Sequence, residues 1–256
     1  ALKNYALYDW LRSIPYFRHI YTETYSPQLF RESRIRARGE EYPIVVSLGT
    51  RKAHHFANLA RDIAPKGYIV GQKKSPLPFQ LNRILAYRKL DASLPPPSGN
   101  ETHISDRFAN WFQALFALQL DAQQRHPYLD LPKKATRAIQ EWLKERALAE
   151  SNPLILINPF AKMDDRSWGL TATFTLIQKL RNHPHFKKGH YIINVAPERL
   201  AEVVERIGLD EAQYITPFTA ADNFFQLPAL LAEVDLVISA ETSVMHLANL
   251  VGSKTL

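Results

Sequence analysis

The sequence contains no cysteine among its 256 residues. A chain without cysteine cannot build a disulfide framework, a Cys-ligated zinc site, an iron–sulfur cluster or a cysteine nucleophile. Its apolar runs reach only about five to seven residues, whereas a membrane-spanning helix needs roughly 20. Residues 1–5 also lack the apolar stretch of a signal peptide. With 46% hydrophobic and 22% charged residues, the composition is instead typical of a globular protein in a reducing compartment.

The charge balance is basic, with 32 Lys and Arg residues against 25 Asp and Glu residues and a formal net charge of +7. Such an excess suits nucleic acid, an anionic membrane surface or a phosphorylated substrate. A basic surface without any dedicated partner is the ordinary alternative. The sequence has no RNA-binding or helix-turn-helix motif, so we expect no nucleic-acid partner.

Short apolar runs alternate with helical patterns in the second half of the chain. Strands are predicted at residues 154–157, 191–195, 214–215 and 235–239. Between them, apolar residues recur at helical spacing, and Gly208 and Gly252 are typical helix ends. This alternation predicts an α/β fold in which a parallel sheet is connected by helices, as in Rossmann-like domains.

The first half is less regular. Strands are predicted at residues 44–48 and 68–70, whereas the proline-rich stretch 75–97 predicts a long connection. Residues 150–153 (Glu-Ser-Asn-Pro) are typical of a linker, so we expect a first domain over residues 1–150 and a second over residues 151–256.

Both ends of the chain suggest that it is part of a longer protein. The apolar spacing of Leu7, Leu11 and Ile14 predicts a helix, and a strand with a phosphate-binding loop would precede such a helix in a Rossmann-like domain. Residues 254–256 predict the start of a further strand. We therefore expect the first domain to be incomplete at its start and the second at its end.

Two loops follow predicted strands in the second half, where open α/β sheets bind ligands. The first loop contains Lys162 and Arg166 beside Asp164 and Asp165. Arginine offers a planar fork to a phosphate, and lysine offers a point charge. The alternative is that these four charges pair with one another in a solvated loop, which composition alone favours.

The second loop contains Thr242 and Ser243, followed by His246 about one turn further on. Thr and Ser suit the first turn of a helix, where free backbone N–H groups and the helix dipole attract anions. The alternative is an ordinary helix cap with a core histidine behind it.

Together the two loops resemble those of glycosyltransferase family 9, the ADP-heptose:lipopolysaccharide heptosyltransferases. Residues 164–168 (Asp-Asp-Arg-Ser-Trp) are similar to the family's Asp-Asp-Lys-x-Trp loop. Residues 241–246 resemble its Asp-Thr-Gly-x-x-His motif, with Glu241 for Asp and Ser243 for Gly. Residues 196–198 (Ala-Pro-Glu) resemble the segment whose Glu meets the donor ribose. In the first half, residues 10–16 and 45–51 match the family more loosely.

The resemblance implies a GT-B architecture, with two Rossmann-like domains facing across a cleft. The second domain would bind a nucleotide-sugar donor and the first an acceptor. The implied reaction is inverting transfer of heptose from ADP-heptose to the anionic inner core of lipopolysaccharide, with no metal and no other cofactor. The implied location is cytoplasmic, in peripheral contact with the inner face of the cytoplasmic membrane.

The resemblance also implies roles for individual residues. The implied donor-binding residues are Lys162, Arg166, Glu198, Glu241, Thr242, Ser243, Val244 and His246. Arg166 would hold the donor diphosphate, and residues 242–244 would cradle phosphate at a helix N-terminus. Glu198 would bind ribose hydroxyls, while Glu241 and His246 would complete the sugar and phosphate site.

On the acceptor side, Arg51 and Lys52 would contact an anionic acceptor. The family's catalytic base is an Asp in the Gly-rich loop after the first strand, and we expect the corresponding residue to lie before Ala1. The catalytic residue is therefore not assigned.

Two departures from the family pattern leave alternatives open. Glu241 is one methylene longer than Asp, and Ser243 leaves less room than Gly for a close backbone approach. These changes are compatible with a different donor sugar or with reduced or lost activity. The alternatives are a GT-B transferase with another nucleotide sugar or acceptor and a non-catalytic nucleotide-binding protein.

Overall fold

The computed structural model describes residues 6–21, 26–49, 52–95, 104–125, 128–161 and 164–256. By their internal contacts, these residues form two compact units. The first unit is His19–His126, and the second unit combines Ala1–Arg18 with Pro127–Leu256. Each unit contains one parallel sheet. No helix in the described ranges is long and apolar enough to cross a bilayer.

The chain enters the second unit with helix α1 (Ala6–Ser13), where the apolar spacing predicts a helix. The elements of the first unit then follow in the order α2 (Pro27–Gly39), β1 (Ile44–Ser47), α3 (Ala53–Ile63), β2 (Tyr68–Gly71), α4 (Leu81–Tyr87), β3 (Ala92–Ser93), α5 (Ile104–Phe116) and α6 (Ala122–Arg125). The three strands pair in parallel in the order β1-β2-β3.

Small residues allow α3 to lie close against this sheet. Ala60 and Ala64 pack with the fully buried Ile69 of β2, and Val45 and Leu90 cover the same cluster. Both strands predicted in this half are confirmed, β1 one residue shorter and β2 one residue longer than expected.

The prediction of a long connection over residues 75–97 is wrong, because α4 and β3 lie within it. Pro76 and Pro78 precede α4 and therefore do not interrupt it. Asp91 fixes the start of β3: its carboxylate accepts a hydrogen bond from Ile69 N at 2.7 Å, and its own N–H donates to Ile69 O at 2.8 Å.

The remaining elements of the second unit are α7 (Lys133–Glu145), β4 (Leu154–Asn158), α8 (Gly169–Arg181), β5 (His190–Asn194), α9 (Leu200–Arg206), β6 (Ile215–Phe218), α10 (Gln226–Glu233), β7 (Leu236–Ser239) and α11 (Ser243–Leu250). The sheet order is β6-β5-β4-β7, and every pair is parallel. Thr255 adds a parallel bridge to Val237, where the sequence predicts the start of a further strand.

Helices cover both faces of this second sheet. On one face, Leu156 and Ile192 pack with residues of α7, α10 and α11. On the other, Ile157 and Ile193 pack with Phe174 of α8. Every residue of β4 is buried, as expected for the central strand of a parallel sheet. The α/β fold with parallel sheets predicted from the sequence is confirmed.

The division into units differs from the domain boundary predicted near residue 150. Helix α7 buries Ile139 and Leu143 against the second sheet and packs on α10. Leu129 N donates to Leu250 O at 3.0 Å, so the segment before α7 is also tied to this unit. Residues 127–150 group with the second unit because they complete its core.

Candidate functional site

The side chain of Asn158 joins three strand ends at the carboxyl edge of the second sheet. Its amide nitrogen donates to Ser239 Oγ and to Thr242 Oγ1, both at 3.0 Å. Its carbonyl oxygen accepts a hydrogen bond from Asn194 Nδ2 at 2.8 Å. Asn158 is only 3% exposed, and a buried polar network with satisfied partners fixes its members in place. The loops after β4 and β7 are thus held at one edge.

Helix α11 begins at this edge and is capped as its sequence predicts. Thr242 has an extended backbone, and its hydroxyl accepts a hydrogen bond from Val244 N at 3.2 Å. The first-turn N–H groups of a helix and its dipole favour an anion at that end. Ser243 and His246 are exposed and Val244 is buried. Since His246 is exposed, its alternative interpretation as a core histidine is wrong.

The loop after β4 is closed by hydrogen bonds between its own residues. Ala161 N donates to Ser167 Oγ at 2.9 Å, and Trp168 N donates to Pro159 O at 2.9 Å. Gly169 then starts α8 with φ of 71°, a conformation that favours glycine. Within this loop, residues 164–166 form a short 3₁₀ turn that presents Arg166 to solvent.

Arg166 and Glu241 lie together although they come from different loops. Arg166 Nη1 is 4.0 Å from Glu241 Oε2, and the two side chains are 56% and 90% exposed. An exposed ion pair at this distance adds little stability, so Arg166 can exchange its partner for a stronger anion. Arg166 therefore lies near a carboxylate of the other loop, whereas the alternative has it pair with the charges of its own loop.

A cavity of about 620 Å³ opens beside the network. It is lined chiefly by Asn158, Phe160, Asn194, Pro197, Arg199 and Leu227. Arg199 lies over the Phe160 ring, with its guanidinium carbon 4.2 Å from the ring centroid, and its Nε is 3.2 Å from Glu202. Glu198 is exposed in the 3₁₀ turn 197–199 after β5, between two lining residues.

Sequence reasoning missed Asn158, Asn194 and Arg199. Asn158 and Asn194 are each the last residue of a buried parallel strand, and a polar residue there was the available signal. Arg199 directly follows Glu198, which the family motif covers, but no pattern in the sequence marks Arg199 itself.

The predicted acceptor residues lie in the first unit or outside the described ranges. Lys52 is exposed, and it precedes α3 in a left-handed conformation with φ of 51°. Next to it, the rings of His54 and His55 are 4.2 Å apart. Desolvation, then the charges of His55, Arg83 and Lys52, lower the pKa of His54. Arg51 and Lys162 lie outside the described residues.

No group of three or more His, Cys, Asp or Glu side chains within the described ranges could hold a metal ion. This finding leaves the predicted metal independence of the reaction as a prediction.

Parallel sheets with polar loops at their carboxyl ends are typical of α/β proteins that bind ligands at that edge. The sequence profile of glycosyltransferase family 9 (heptosyltransferase) matches residues 81–256. The chain therefore belongs to glycosyltransferase family 9, and the resemblance read from its two loops is confirmed. No curated protein sequence matches the chain significantly.

Solved structures of the same family share the fold. A glycosyltransferase family 9 protein from Veillonella parvula has a TM-score of 0.64 at 15% identity. The match covers 90% of this chain and 62% of the Veillonella chain. E. coli ADP-heptose lps heptosyltransferase II has a TM-score of 0.59 at 12% identity. This match covers 88% of this chain and 65% of the heptosyltransferase II chain.

A third structure is E. coli heptosyltransferase WaaC with ADP-2-deoxy-2-fluoro heptose. It has a TM-score of 0.59 at 13% identity and covers 97% of this chain and 69% of its own. The chain thus spans 62% and 65% of the length of the first two structures. At these identities the likeness shows the fold, which is that of GT-B family 9 structures.

Proposed function

We propose that this chain is part of an inverting, metal-independent glycosyltransferase that moves heptose from ADP-heptose to the inner core of lipopolysaccharide. The observation that supports this most is the meeting of Arg166 and Glu241 at the N-terminus of α11. The family assignment supports glycosyl transfer, and the solved structure of E. coli heptosyltransferase WaaC with ADP supports the choice of nucleotide.

The site suits a diphosphate leaving group. Glycosyl transfer develops negative charge on the departing diphosphate, and preorganised donors near that charge lower the barrier. The Arg166 guanidinium and the first-turn amides of α11 are such donors. A bound diphosphate would replace the Glu241 carboxylate as the partner of Arg166 and leave Glu241 and His246 for the sugar and phosphate.

The nucleoside part of the donor would occupy the cavity beside Asn158. A volume of about 620 Å³ is within the range of small-molecule sites. The stacked pair of Arg199 and Phe160 would border the nucleoside, and Glu198 would reach the ribose hydroxyls. Lys162 would add a cation to the loop after β4.

The acceptor would bind on the side of the first unit, where Arg51 and Lys52 would contact its anionic groups. Acceptor hydroxyls need a general base, and that residue stays unassigned. We propose a cytoplasmic location with peripheral contact at the inner membrane face, because the acceptor is a membrane lipid.

Nucleotide titration tests the donor site. We expect the wild-type chain to bind ADP more tightly than UDP or GDP in isothermal titration. Arg166→Ala should weaken ADP binding about tenfold, or about 1.4 kcal/mol, because it removes a charge-assisted contact to the diphosphate. The matched control is Arg137→Ala, since Arg137 is an exposed arginine on α7 of the same unit.

The outcomes are distinct. Unchanged ADP affinity in Arg166→Ala would remove the site assignment, and a preference for UDP would remove ADP-heptose as the donor. The exposed Ser243 side chain favours a second candidate, a family 9 enzyme with another nucleotide sugar. That candidate predicts tight binding of a nucleotide other than ADP.

A further inference from the structure

A second cavity lies at the opposite edge of the second sheet, where β5 and β6 begin. Its volume is about 640 Å³. Its polar lining includes Arg146, Arg181, Lys187, Lys188, His190 and Tyr214. Among the described residues, no Asp or Glu lines it. This cavity is separate from the candidate donor site, which lies at the carboxyl ends of the strands.

In the ranges that the structure describes, most cations of this cavity lack a carboxylate partner, whereas other arginines of the same unit have one. Arg199 and Arg206 each lie within 4.0 Å of a carboxylate, at 3.2 and 3.8 Å. Within the described part of the chain, Arg181, Lys187 and Lys188 have no such partner.

The fourth cation, Arg146, is close to a carboxylate only at the rim. Its Nη1 is 3.7 Å from the carboxylate of Glu145, a side chain that is 74% exposed. The cavity therefore concentrates positive charge that the carboxylates of the described residues neutralise only in part.

The geometry of the cavity is fixed by contacts that do not involve a ligand. The Arg181 guanidinium lies 3.5 Å from the centroid of the Tyr214 ring. His190 Nε2 is 2.8 Å from Thr216 Oγ1. Burial, and to a lesser extent the charge of Arg181, lowers the pKa of His190 to about 4. His190 is therefore an uncharged hydrogen-bonding group on the floor of the cavity at neutral pH.

A tight turn presents the two lysines. Gly189 N donates to Phe186 O at 3.0 Å, which closes the turn that contains Lys187 and Lys188. A Cβ atom at Gly189 would lie 3.1 Å from both Phe186 O and Pro153 O, so the close backbone approach there favours glycine. The turn places both lysines in the lining of the cavity.

We propose that this cavity binds a phosphate-bearing anion. Four cationic residues line it, three of them without a carboxylate partner among the described residues, and phosphate groups form strong charge-assisted hydrogen bonds with such side chains. Arg181 also lies in the last turn of α8, where a cation complements the helix dipole. Lys187 and Lys188 lie beyond that helix, so the dipole does not account for them.

The ligand is either a soluble phosphate compound or a phospholipid headgroup, and two measurements separate these sources. In the first, inorganic pyrophosphate is titrated into ¹⁵N-labelled protein while the Gly189 amide resonance is followed, which reports on this cavity and not on the donor site. In the second, the protein is sedimented with phosphatidylcholine vesicles that contain or lack phosphatidylglycerol.

The test variant is Lys187→Glu/Lys188→Glu, and the matched control is Lys133→Glu/Lys134→Glu at the start of α7. Both pairs are adjacent, exposed lysines of the same unit, so the change in net charge is equal. We expect the test variant to lose about tenfold or more in affinity, either for pyrophosphate or for anionic vesicles, while the control keeps wild-type affinity.

A Gly189 shift that depends on Lys187 and Lys188 identifies a soluble ligand. Vesicle binding that depends on them without such a shift identifies a headgroup. The proposal is overturned if neither probe binds or if the control loses as much affinity as the test variant. ADP titration of the same variants reports on the donor site separately, so a failure here leaves the proposed function untouched.

Discussion

Asn158 is the residue on which the geometry of the candidate donor site depends most. It ends the central strand β4 and makes hydrogen bonds to Ser239, Thr242 and Asn194. Because Asn158 is buried, removal of its side chain would cost each of these partners a hydrogen bond that water cannot readily replace.

Asn158→Ala should therefore lower the free energy of unfolding by about 1–3 kcal/mol, and it should also weaken ADP binding by loosening the loops after β4 and β7. Urea denaturation measures the first effect. A double-mutant cycle with Ser239→Ala should give a coupling energy of about 0.5 kcal/mol or more. Additive effects of the two changes would contradict the network.

His190 makes stability depend on pH. Burial and the charge of Arg181 lower the pKa of His190 from 6.5 to about 4 in the folded protein. As the pH falls below about 6.5, the histidine of the unfolded chain takes up a proton while the folded one does not, so the free energy of unfolding falls until the pH reaches about 4.

In His190→Gln this contribution is absent. We therefore expect urea denaturation to show a smaller loss of stability between about pH 7 and about pH 4.5 in the variant than in the wild-type protein. Equal losses in both proteins would contradict the lowered pKa.

Sequence motifs predicted the residues of the loops after β4 and β7 better than the polar residues at the strand ends. Arg166 and Thr242 belong to loop motifs that can be recognised from their neighbours along the chain, and both lie at the expected edge. Asn158 and Asn194 act through hydrogen bonds between strands that are far apart in sequence. Their role depends on the strand order, which periodicity alone does not provide.

At the scale of elements, the N-terminus of α11 is the feature that a donor phosphate would use. Thr242 caps this helix with its hydroxyl and also accepts a hydrogen bond from Asn158. Both interactions depend on the same oxygen atom.

Thr242→Ala should therefore lower the free energy of unfolding by about 1–2 kcal/mol and weaken ADP binding. Thr242→Ser keeps the hydroxyl and should retain both properties. Thermal unfolding and ADP titration of the two variants provide the comparison. Equal behaviour of the Ala and Ser variants would show that the cap does not organise the site.

The elements of the two halves were predictable to different degrees. In the second half, the predictions for β4, β5 and β7 succeeded because these strands are short, largely buried apolar runs with clear ends. The prediction for residues 214–215 shares only Ile215 with β6, whose sequence is Ile-Thr-Pro-Phe. In the first half, α4 and β3 were missed. Leu81 and Leu85 of α4 are exposed, so its apolar residues do not mark a buried face, and β3 has only two residues.

At the scale of the whole molecule, the alternation of strands and helices sufficed to predict an α/β fold with parallel sheets. It did not provide the grouping of the chain into units. Residues 127–150 belong with the second sheet because α7 covers α10 and the neighbouring strands. A polar segment after a helix resembles a linker, whether or not that helix packs against the strands that come after it in the chain.

The central claim is that a nucleoside diphosphate binds at the carboxyl edge of the second sheet. Amide hydrogen exchange with and without saturating ADP tests it most directly, because it locates the ligand along the chain. We expect slower exchange in peptides covering residues 164–168 and 240–246. Unchanged exchange in both loop peptides, or protection confined to the first unit, would contradict the account.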